Sequence, residues 1–384
     1  MVKLVHFIHG MGTGGAETLV KNYMMNFDKN KFDTVVLCLN HCEKSPYEDI
    51  LNKMNVRMIF IQDYLPFKKR SNVFQKIVNY PLRYILIPRL IKQENPDILH
   101  THMQINKFLV FTKMKHGMKL FHTIHNELST VYPRNDIRKR VDYYVTKRFI
   151  KRYGMKLVVL HKKMKKEADE MFGVSNSMVL NNGVDVRKIL RPKGKQNTRV
   201  DLNIPESAFV VGNIGRFSSQ KNHEFLTDIF IEIQKKKKDT FLLLIGDGDG
   251  KNRIAKKLED EGLKEKCLIL SNRDDVPDLL NAMDVFVFPS LYEGLPLSLI
   301  EAQIAKKPCF ISDTIDGHAV ISNLVTSLSL DDGPEKWAEA ILKYKKPKKI
   351  EVNDEDWDIK KITKQLEQLY LDALAEKENG EKQD

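Results

Sequence analysis

Short apolar runs alternate with longer amphipathic stretches along most of this chain. The apolar runs of the first half predict strands at residues 2–8, 33–39, 56–61, 97–101, 118–124, 155–160 and 177–180. Apolar positions at helical spacing lie between them and predict helices at residues 16–26, 46–54, 104–115, 136–152 and 161–172. Strands and helices that alternate at this spacing are typical of βαβ units with a parallel sheet.

The pattern lapses at residues 191–206, which are polar and rich in turn formers, and then starts again. Further strands are predicted at residues 208–214, 240–245, 266–270, 284–288 and 308–311, and further helices at residues 222–237, 250–260, 276–282, 297–306, 333–346 and 356–376. We therefore predict an α/β protein with two doubly wound, Rossmann-like domains facing across a cleft, residues 1–190 and 207–355, joined by a linker at 191–206. We expect the last helix, 356–376, to pack back toward the first domain.

Charge is distributed unevenly between the two halves of the chain. Residues 1–200 contain 37 lysines and arginines against 16 aspartates and glutamates, residues 201–384 contain 26 against 35, and the net charge is +12. A basic half indicates an anionic partner, either nucleic acid or a membrane surface. A general bias toward lysine in the composition would give the same surplus.

Two segments of the first half carry much of this positive charge. Residues 64–93 mix bulky apolar side chains with lysines and arginines, and they fit either a helix lying in a membrane interface or a helix pair that caps the sheet. Residues 138–166 contain a dense run of lysines and arginines. Such a run gains about 1 kcal/mol per residue at an anionic lipid surface, although a solvated helix face is the ordinary interpretation.

The cysteines and the lengths of the apolar runs indicate where in the cell the protein is expected. The four cysteines have no paired CxxC arrangement, which favours reduced thiols in a cytosolic protein. No apolar stretch approaches the ~20 residues that span a bilayer, and the first apolar run is too short for a signal peptide. We expect a cytoplasmic protein, with peripheral association at the inner face of the cell membrane left open.

The most informative stretch of the sequence is residues 289–311. An apolar strand ends at Pro289, a turn rich in glycine and proline follows, and a helix begins near Leu297. Free backbone N–H groups at a helix N-terminus suit an anion, whereas the carboxylates of Glu293 and Glu301 suit sugar hydroxyls. The stretch predicts a ligand that carries both phosphate and sugar.

A second group of candidate residues follows the first strand of the second domain. That strand ends in Gly215-Arg216, and Lys221 follows five residues later. Ligands of parallel α/β sheets bind at the carboxyl ends of the strands, where a guanidinium grips phosphate oxygens bidentately and an ammonium adds a point charge. Either cation alone would be an ordinary surface residue, but their joint position favours phosphate binding.

Several short motifs occur in a fixed order along both domains. They are Gly14-Gly15-Ala16-Glu17, Thr123-Ile124-His125-Asn126, Asn182-Gly183-Val184-Asp185, Gly215-Arg216-Phe217 followed by Lys221, Gly246-Asp247-Gly248, Glu293-Gly294-Leu295-Pro296, and the Glu-x7-Glu pair of Glu293 and Glu301. Together they resemble the motifs of glycosyltransferase family 4, a large family of retaining enzymes with the GT-B fold.

The resemblance implies roles for the side chains of the second domain. Arg216 and Lys221 would hold the pyrophosphate of a nucleotide-sugar and stabilise charge as the nucleotide leaves. Glu301 would accept hydrogen bonds from both ribose hydroxyls, and Glu293 would contact hydroxyls of the transferred sugar. Arg273, at the end of the strand that meets the base in this family, would belong to the donor-binding site.

The resemblance also implies roles for backbone groups and for one histidine. The N–H groups of Gly294 and Leu295 would meet the β-phosphate. Gly14 and Gly15 would let the first loop approach phosphate or acceptor without interference from a Cβ. His125 would face the donor sugar across the cleft, although without the motif it would be interpreted as a histidine satisfied in a loop.

Some positions depart from the family pattern and leave the nucleotide base open. His161 stands where the family often has a small residue, and Lys306-Lys307-Pro308 replaces a common Gly-Pro arrangement. Residues 271–276 keep the Arg-x-Asp-Val end of the base-binding strand but lack its usual glycine.

The resemblance implies no metal and no cofactor apart from the nucleotide-sugar substrate, because arginine and lysine supply the positive charge. Asp247 and Asp249 fall in the Gly-rich turn and do not form a convincing metal pair. His100 and His102 would share one face of a strand, where coordination is geometrically possible. No third ligand is apparent, so we expect a structural or acceptor-side place for these histidines.

The resemblance therefore implies a retaining, metal-independent hexosyltransferase. It would move a sugar from a nucleotide donor, a UDP-sugar above others, to a saccharide or lipid-linked saccharide acceptor in surface polysaccharide biosynthesis. The alternatives are another GT-B activity such as nucleotide-sugar epimerisation, a basic nucleic-acid- or membrane-binding protein without catalysis, and an inactive partner subunit. We expect no nucleic-acid partner, because the basic runs lack interleaved aromatic residues and no nucleic-acid module is recognisable.

Overall fold

The computed structural model describes residues 1–42, 45–68, 73–133, 136–175 and 177–378. Contacts between Cα atoms divide the chain into two compact units. The first contains Met1–Gly183 and the chain from Ile359 onwards, and the second contains Val184–Asp358.

In the described part of the chain, the first unit is built on a parallel sheet of seven strands. They are β1 (Val2–Ile8), β2 (Phe32–Cys38), β3 (Arg57–Phe60), β4 (Ile98–His102), β5 (Lys119–Thr123), β6 (Lys156–Val159) and β7 (Met178–Val179). The order across the sheet is β3-β2-β1-β4-β5-β6-β7, so the winding reverses between β1 and β4. Such a reversal opens a crevice at the carboxyl ends of the two central strands.

The described residues of the second unit form a parallel sheet of six strands. They are β8 (Phe209–Ile214), β9 (Thr240–Ile245), β10 (Cys267–Leu270), β11 (Val285–Phe288), β12 (Cys309–Ser312) and β13 (Val325–Leu328). The order is β10-β9-β8-β11-β12-β13, which places the reversal between β8 and β11. The predicted pair of doubly wound, Rossmann-like units is confirmed.

Helices connect the strands of both sheets. Their bounds are α1 (Gly15–Asn26), α2 (Pro46–Lys53), α3 (Val73–Glu94), α4 (Leu128–Val131), α5 (Ile137–Tyr153), α6 (Lys162–Phe172), α7 (Val186–Ile189), α8 (Lys195–Asp201), α9 (His223–Lys236), α10 (Lys251–Asp260), α11 (Val276–Ala282), α12 (Leu297–Ile304), α13 (Gly333–Lys343) and α14 (Ile359–Glu378). Because βαβ crossovers are right-handed, the reversal of winding puts α1 and α2 on one face of the first sheet and α3, α5 and α6 on the other. None of the described helices is long and apolar enough to cross a bilayer.

The last helix, α14, belongs to the core of the first unit. Its apolar side chains recur every three or four residues and pack with β1, β2 and α1; they are Ile359, Ile362, Leu366, Tyr370 and Ala373. A Cβ built on Gly183 would lie 2.6 Å from the Cα of Ile359, so only glycine fits where the chain passes the start of this helix.

One predicted helix is wrong. Residues 104–115 contain only a short 3₁₀ turn, Asn106–Leu109, in place of the expected helix. Hydrogen bonds from α5 hold this backbone: the Asp142 carboxylate accepts from the N–H of Lys107 at 2.8 Å, and the Asn106 amide donates to the Thr146 hydroxyl at 2.9 Å. These tertiary bonds outweigh the local helical pattern.

Several other elements differ from the sequence-based expectation. The basic segment 64–93 contains one helix, α3, which runs through Pro81 and Pro88 and is not a helix pair. Its lysine and arginine at 69–70 lie outside the described residues. Strand β13 and the helices α4, α7 and α8 were not predicted, because each is short.

The segment 191–206, expected to be a linker, is part of the second unit. Its helix α8 carries Arg199, which is buried and donates hydrogen bonds to the carbonyl of Ala282 at 3.0 and 2.9 Å. The same guanidinium contacts the carboxylate of Asp284 at 2.8 Å. The division between the units falls between Gly183 and Val184.

Candidate functional site

The loops that follow β8 and β11 meet at the carboxyl edge of the second sheet, where its winding reverses. The N–H of Leu291 donates to the carbonyl of Gln220 at 2.8 Å, and the side-chain amide of Gln220 donates to the carbonyl of Tyr292 at 2.9 Å. Gln220 therefore ties the two loops together. Gln220 was not predicted as a site residue, and its position next to Lys221 is the one signal that could have indicated it.

Lys221 and Glu293 form an ion pair in this corner of the sheet. The Lys221 ammonium lies 2.6 Å from a Glu293 carboxylate oxygen, and the two side chains are only 16% and 6% exposed. Gln220 donates to the other carboxylate oxygen at 3.3 Å, and the ring of Phe288 lies 4.7 Å below the ammonium. Both predicted site residues are therefore held in place before any ligand arrives, and each neutralises the other.

Arg216 is the exposed cation of the same corner. Its guanidinium makes no hydrogen bond or ion pair with any other group in the described part of the chain. The backbone that leads into Arg216 packs closely against the loop after β9. A Cβ built on Gly246 of that loop would lie 2.0 Å from the carbonyl oxygen of Gly215, so only glycine fits there. The N–H of Phe217 also donates to the carbonyl of Asp247 at 2.9 Å. Arg216 thus combines a fixed backbone with a charge that no described residue pairs.

Gly294 and Leu295 bring free backbone donors to this corner. Both residues are buried, and within the described residues neither N–H donates to a protein acceptor. Helix α12 begins two residues later, and its N-terminus adds a positive dipole end. Glu301 lies in the second turn of this helix and is half-buried. The corner therefore offers anion donors beside a hydroxyl acceptor.

Arg273 lies farther along the same edge, after β10. Its guanidinium is paired with the carboxylate of Asp275, with an Nε–Oδ1 distance of 2.7 Å. The loop around it is tied to the loop after β9, because Ser271 donates to the carbonyl of Gly246 at 2.8 Å. In this structure Arg273 is engaged by its neighbour, unlike Arg216.

In the first unit, Gly14 and Gly15 follow β1 at the carboxyl edge of the sheet. Both are exposed, and Gly14 caps the N-terminus of α1. A Cβ built on Gly15 would meet nothing within 4 Å, so no protein contact requires glycine there. The loop leaves open space for a ligand.

His125 lies just after β5 and is joined to buried histidines of the central strands. Its Nε2 is 3.1 Å from Nδ1 of His102, whose Nε2 is 2.8 Å from Nδ1 of His6. His6 lies on β1 and was not predicted. It supplies the third residue missing from the pair His100 and His102, and the possible ligand atoms of these three lie within 4.8 Å of one another.

These imidazoles are neutral in the folded protein. Burial lowers the pKa of His6 to about 3 and, with a smaller contribution from His122, that of His125 to about 3. Burial also lowers the pKa of His122 to about 4. For His100 and His102, burial and the neighbouring imidazoles hold the pKa well below its usual range.

We expect the free energy of unfolding of the first unit to fall as the pH drops from about 6.5 to about 4. In this window the unfolded histidines bind protons that the folded ones do not, and each contributes up to about 1.4 kcal/mol per pH unit. Hydrogen exchange of β1 and β4, corrected for the intrinsic pH dependence of exchange, measures the effect. Protection that stays constant between pH 7 and pH 5 would contradict the lowered pKa values.

Two family models match the chain, one over each half. The model described as Glycosyltransferase Family 4 matches residues 13–188, and the model described as Glycosyl transferases group 1 matches residues 194–356.

Curated relatives match over nearly the whole length. An Escherichia coli protein named UDP-Gal:alpha-D-GlcNAc-diphosphoundecaprenol alpha-1,3-galactosyltransferase is 25% identical over 365 residues, which cover 90% of this chain and 91% of that protein. The Staphylococcus aureus capsular polysaccharide biosynthesis glycosyltransferase CapH is 26% identical over 393 residues, covering 97% of this chain and 99% of its own.

Solved structures show the same fold. Anabaena HepE, solved in complex with UDP and glucose, superposes with a TM-score of 0.72 at 16% identity and covers 96% of this chain and 99% of its own.

Proposed function

The chain belongs to the family 4 glycosyltransferases of the GT-B fold, and from that premise we propose that it transfers a sugar from a UDP-sugar to a saccharide acceptor in surface polysaccharide biosynthesis. The names of its relatives support this proposal: one is a galactosyltransferase that uses UDP-Gal, and another acts in capsular polysaccharide biosynthesis. They favour glycosyl transfer over the alternatives of epimerisation and of non-catalytic binding to nucleic acid.

The observation that carries the proposal is that, among the described residues, the guanidinium of Arg216 and the N–H groups of Gly294 and Leu295 have no protein partner, and that the two loops holding them meet at one edge of the second sheet. A diphosphate would give these donors the acceptors they lack, and charge-assisted hydrogen bonds of this kind are the strong ones. Glu301 would accept from the ribose hydroxyls of the same nucleotide. Arg273 would need to leave Asp275, or act together with it, to contact the base.

Lys221 and Glu293 would have different roles at the transferred sugar. Glu293 would accept from sugar hydroxyls while Lys221 holds it in place and adds positive charge near the departing phosphate. In the retaining reaction that the family implies, the departing phosphate assists the acceptor hydroxyl on the same face. We propose no metal and no cofactor, because the cations of the chain supply the charge.

Transfer itself is the test of this function. The purified protein is incubated with UDP-glucose, UDP-galactose, UDP-GlcNAc or UDP-GalNAc and with a polyprenyl diphosphate that carries one N-acetylglucosamine. We expect UDP release and an acceptor heavier by one sugar for one of these donors, with the anomeric configuration retained. The absence of transfer from every donor, in a protein shown to be folded, would contradict the proposal.

We expect Glu301→Ala to weaken UDP binding about tenfold to a hundredfold. A carboxylate that accepts from ribose hydroxyls makes charge-assisted hydrogen bonds of about 1.5–3 kcal/mol each, and alanine makes none. Isothermal titration calorimetry with UDP measures the loss. Glu339→Ala, on the exposed surface of α13, is the control and should bind UDP as the wild type does. Equal UDP affinity of Glu301→Ala and the wild type would show that Glu301 does not contact the ribose.

We place the acceptor on the basic first unit, as the family implies, and propose that this unit rests on an anionic membrane surface. Three neighbouring elements of one sheet face expose apolar side chains: α3, the turn at 106–111 and α5. The exposed residues are Phe74, Ile77, Tyr80, Ile85, Phe111, Ile137, Val141 and Tyr144. We call this set the amphipathic face.

Cations border the apolar part of the amphipathic face. On α5, Ile137, Val141 and Tyr144 follow one another at helical spacing. The same helix continues with Lys147, Arg148, Lys151 and Arg152, which line a shallow surface hollow with Tyr144. Apolar side chains beside a cluster of cations are typical of segments that lie in the interface of an anionic bilayer.

We expect the protein to sediment with phosphatidylglycerol vesicles and to be released as salt shortens the Debye length from about 10 Å at 0.1 M to about 3 Å at 1 M. Combining Lys147→Glu with Lys151→Glu should lower the bound fraction at least tenfold, since each basic residue contributes about 1 kcal/mol. Lys29→Glu with Lys53→Glu, near the α1 and α2 face, is the charge-matched control. Equal binding of the two double variants would contradict the docking face.

A further inference from the structure

A chain of hydrogen-bonded side chains runs through the first unit from His125 to α14. Its members are His125, His102, His6, Tyr370, His100 and Thr123, and we call them the histidine relay. They come from β1, β4, β5 and α14, and from the loop that follows β5. All of them except His125 are buried.

The far half of the histidine relay is organised by the Tyr370 hydroxyl. It lies 3.4 Å from Nε2 of His6 and 2.5 Å from Nδ1 of His100. Nε2 of His100 lies 2.7 Å from the hydroxyl of Thr123. With the bonds from His6 to His102 and from His102 to His125, both ring nitrogens of all three central histidines have a partner.

The tautomer of each imidazole in the relay therefore depends on the next one. A neutral imidazole has one N–H donor and one bare nitrogen. If His125 donates from Nε2 to His102, then His102 must donate to His6 and His6 to Tyr370. The opposite polarity reverses these bonds, and a mixture of the two among His125, His102 and His6 sets two N–H groups or two lone pairs against each other. The Tyr370 hydroxyl both donates and accepts, so it can pair with His6 in either polarity.

The free end of the relay decides between the two polarities. Nδ1 of His125 is buried and has no hydrogen-bond partner among the described residues. His125 lines a small pocket together with Gln104, His122 and Asn126. A buried N–H without a partner is rarer, and more costly, than an unpaired acceptor. This rule favours a proton on Nε2 of His125 over one on Nδ1.

We propose that Tyr370, His6 and His102 are positioning residues that hold the proton of His125 on Nε2, so that Nδ1 accepts a hydrogen bond from a sugar hydroxyl. The choice of a sugar hydroxyl rests on the proposed function, but the state of the relay does not. A metal at His6, His100 and His102 is the competing interpretation. It would require ring nitrogens that are already used in hydrogen bonds to turn away from their partners.

Nitrogen NMR of protein labelled with 15N-histidine tests the relay without any substrate. The His125 signals are assigned by their loss in His125→Gln. In the wild type we expect a pyrrole-type Nε2 and a pyridine-type Nδ1. A pyridine-type Nε2 would overturn the proposal, and so would one equivalent of bound zinc that shifts the signals of His6, His100 and His102.

Tyr370→Phe removes the hydroxyl that links the two halves of the relay. We expect the His125 signals to move toward the average of the two tautomers and kcat to fall about fivefold with KM unchanged, which corresponds to the loss of one hydrogen bond. Tyr23→Phe is the matched control, because the Tyr23 ring lies 6.2 Å from that of His6 but its hydroxyl makes no hydrogen bond with the relay among the described residues. It should leave the His125 signals unchanged.

Two results would overturn the positioning role. One is an unchanged His125 tautomer in Tyr370→Phe. The other is an equal change in Tyr370→Phe and Tyr23→Phe, because the effect would then come from packing. A protein without transferase activity that still shows the expected tautomers would leave the relay intact and would count only against the proposed function.

Discussion

We expect Arg216→Ala to lower kcat about 10²- to 10³-fold while the free energy of unfolding stays within about 0.5 kcal/mol of the wild type. The loss of rate follows because one preorganised donor aimed at developing charge contributes about 3–4 kcal/mol to the barrier. Stability is unaffected because the guanidinium is exposed and has no protein partner among the described residues. Steady-state kinetics and urea unfolding measure the two quantities.

A matched control for Arg216 lies at the far end of α9, the helix that connects β8 and β9. Lys235 is in the last turn of α9, at the opposite edge of the sheet, and its one ion pair within the described residues is with Glu232 at 2.6 Å. Lys235→Ala removes the same charge and should keep the full rate. If Arg216→Ala and Lys235→Ala have the same kcat, the guanidinium does not act on the leaving nucleotide.

Lys221→Met should lose both activity and stability. We expect kcat to fall about 10²-fold, because the ammonium no longer supplies positive charge near the leaving phosphate. We expect a loss of about 3 kcal/mol in the free energy of unfolding, because Glu293 remains nearly buried without its cation. Lys257→Met, which breaks ion pairs with Glu224 and Asp228 that are more exposed than the Lys221–Glu293 pair, is the control and should lose less than about 1 kcal/mol.

The double variant Lys221→Met/Glu293→Gln separates the two effects. A neutral amide at position 293 no longer leaves a charge unpaired, so about 2 kcal/mol of the lost stability should return. Activity should stay low, because neither the ammonium nor the carboxylate has been restored. Recovery of activity together with stability would show that the pair serves the fold alone.

The sequence predicted the two sheets because their strands are short apolar runs separated by helical patterns, as in β9 and β11. The helix predicted at residues 104–115 was wrong, because hydrogen bonds of Asp142 and Asn106 hold a tighter turn despite the helical pattern. A linker was also predicted at 191–206, where α8 instead packs through Arg199. Both errors come from tertiary contacts that override a local signal.

The candidate site could be predicted only in part. The motifs indicated that Lys221 and Glu293 belong to one site. No pattern indicated that these residues, 72 positions apart in sequence, form an ion pair. The bond from Tyr370 to His6 joins residues 364 positions apart, and neither residue stands in a motif. What the sequence encodes locally, such as a strand or a Gly-rich turn, can be predicted; contacts between side chains distant in sequence require the fold.

A calorimetric titration with UDP, GDP and ADP tests the donor site most directly, first on the wild type and then on Arg216→Ala. The proposed function predicts that UDP binds most tightly of the three, and the site at the ends of β8 and β11 predicts that Arg216→Ala weakens UDP binding at least about tenfold. No binding of any nucleotide to the wild type, or unchanged UDP binding in the variant, would contradict the assignment of this corner to the nucleotide-sugar.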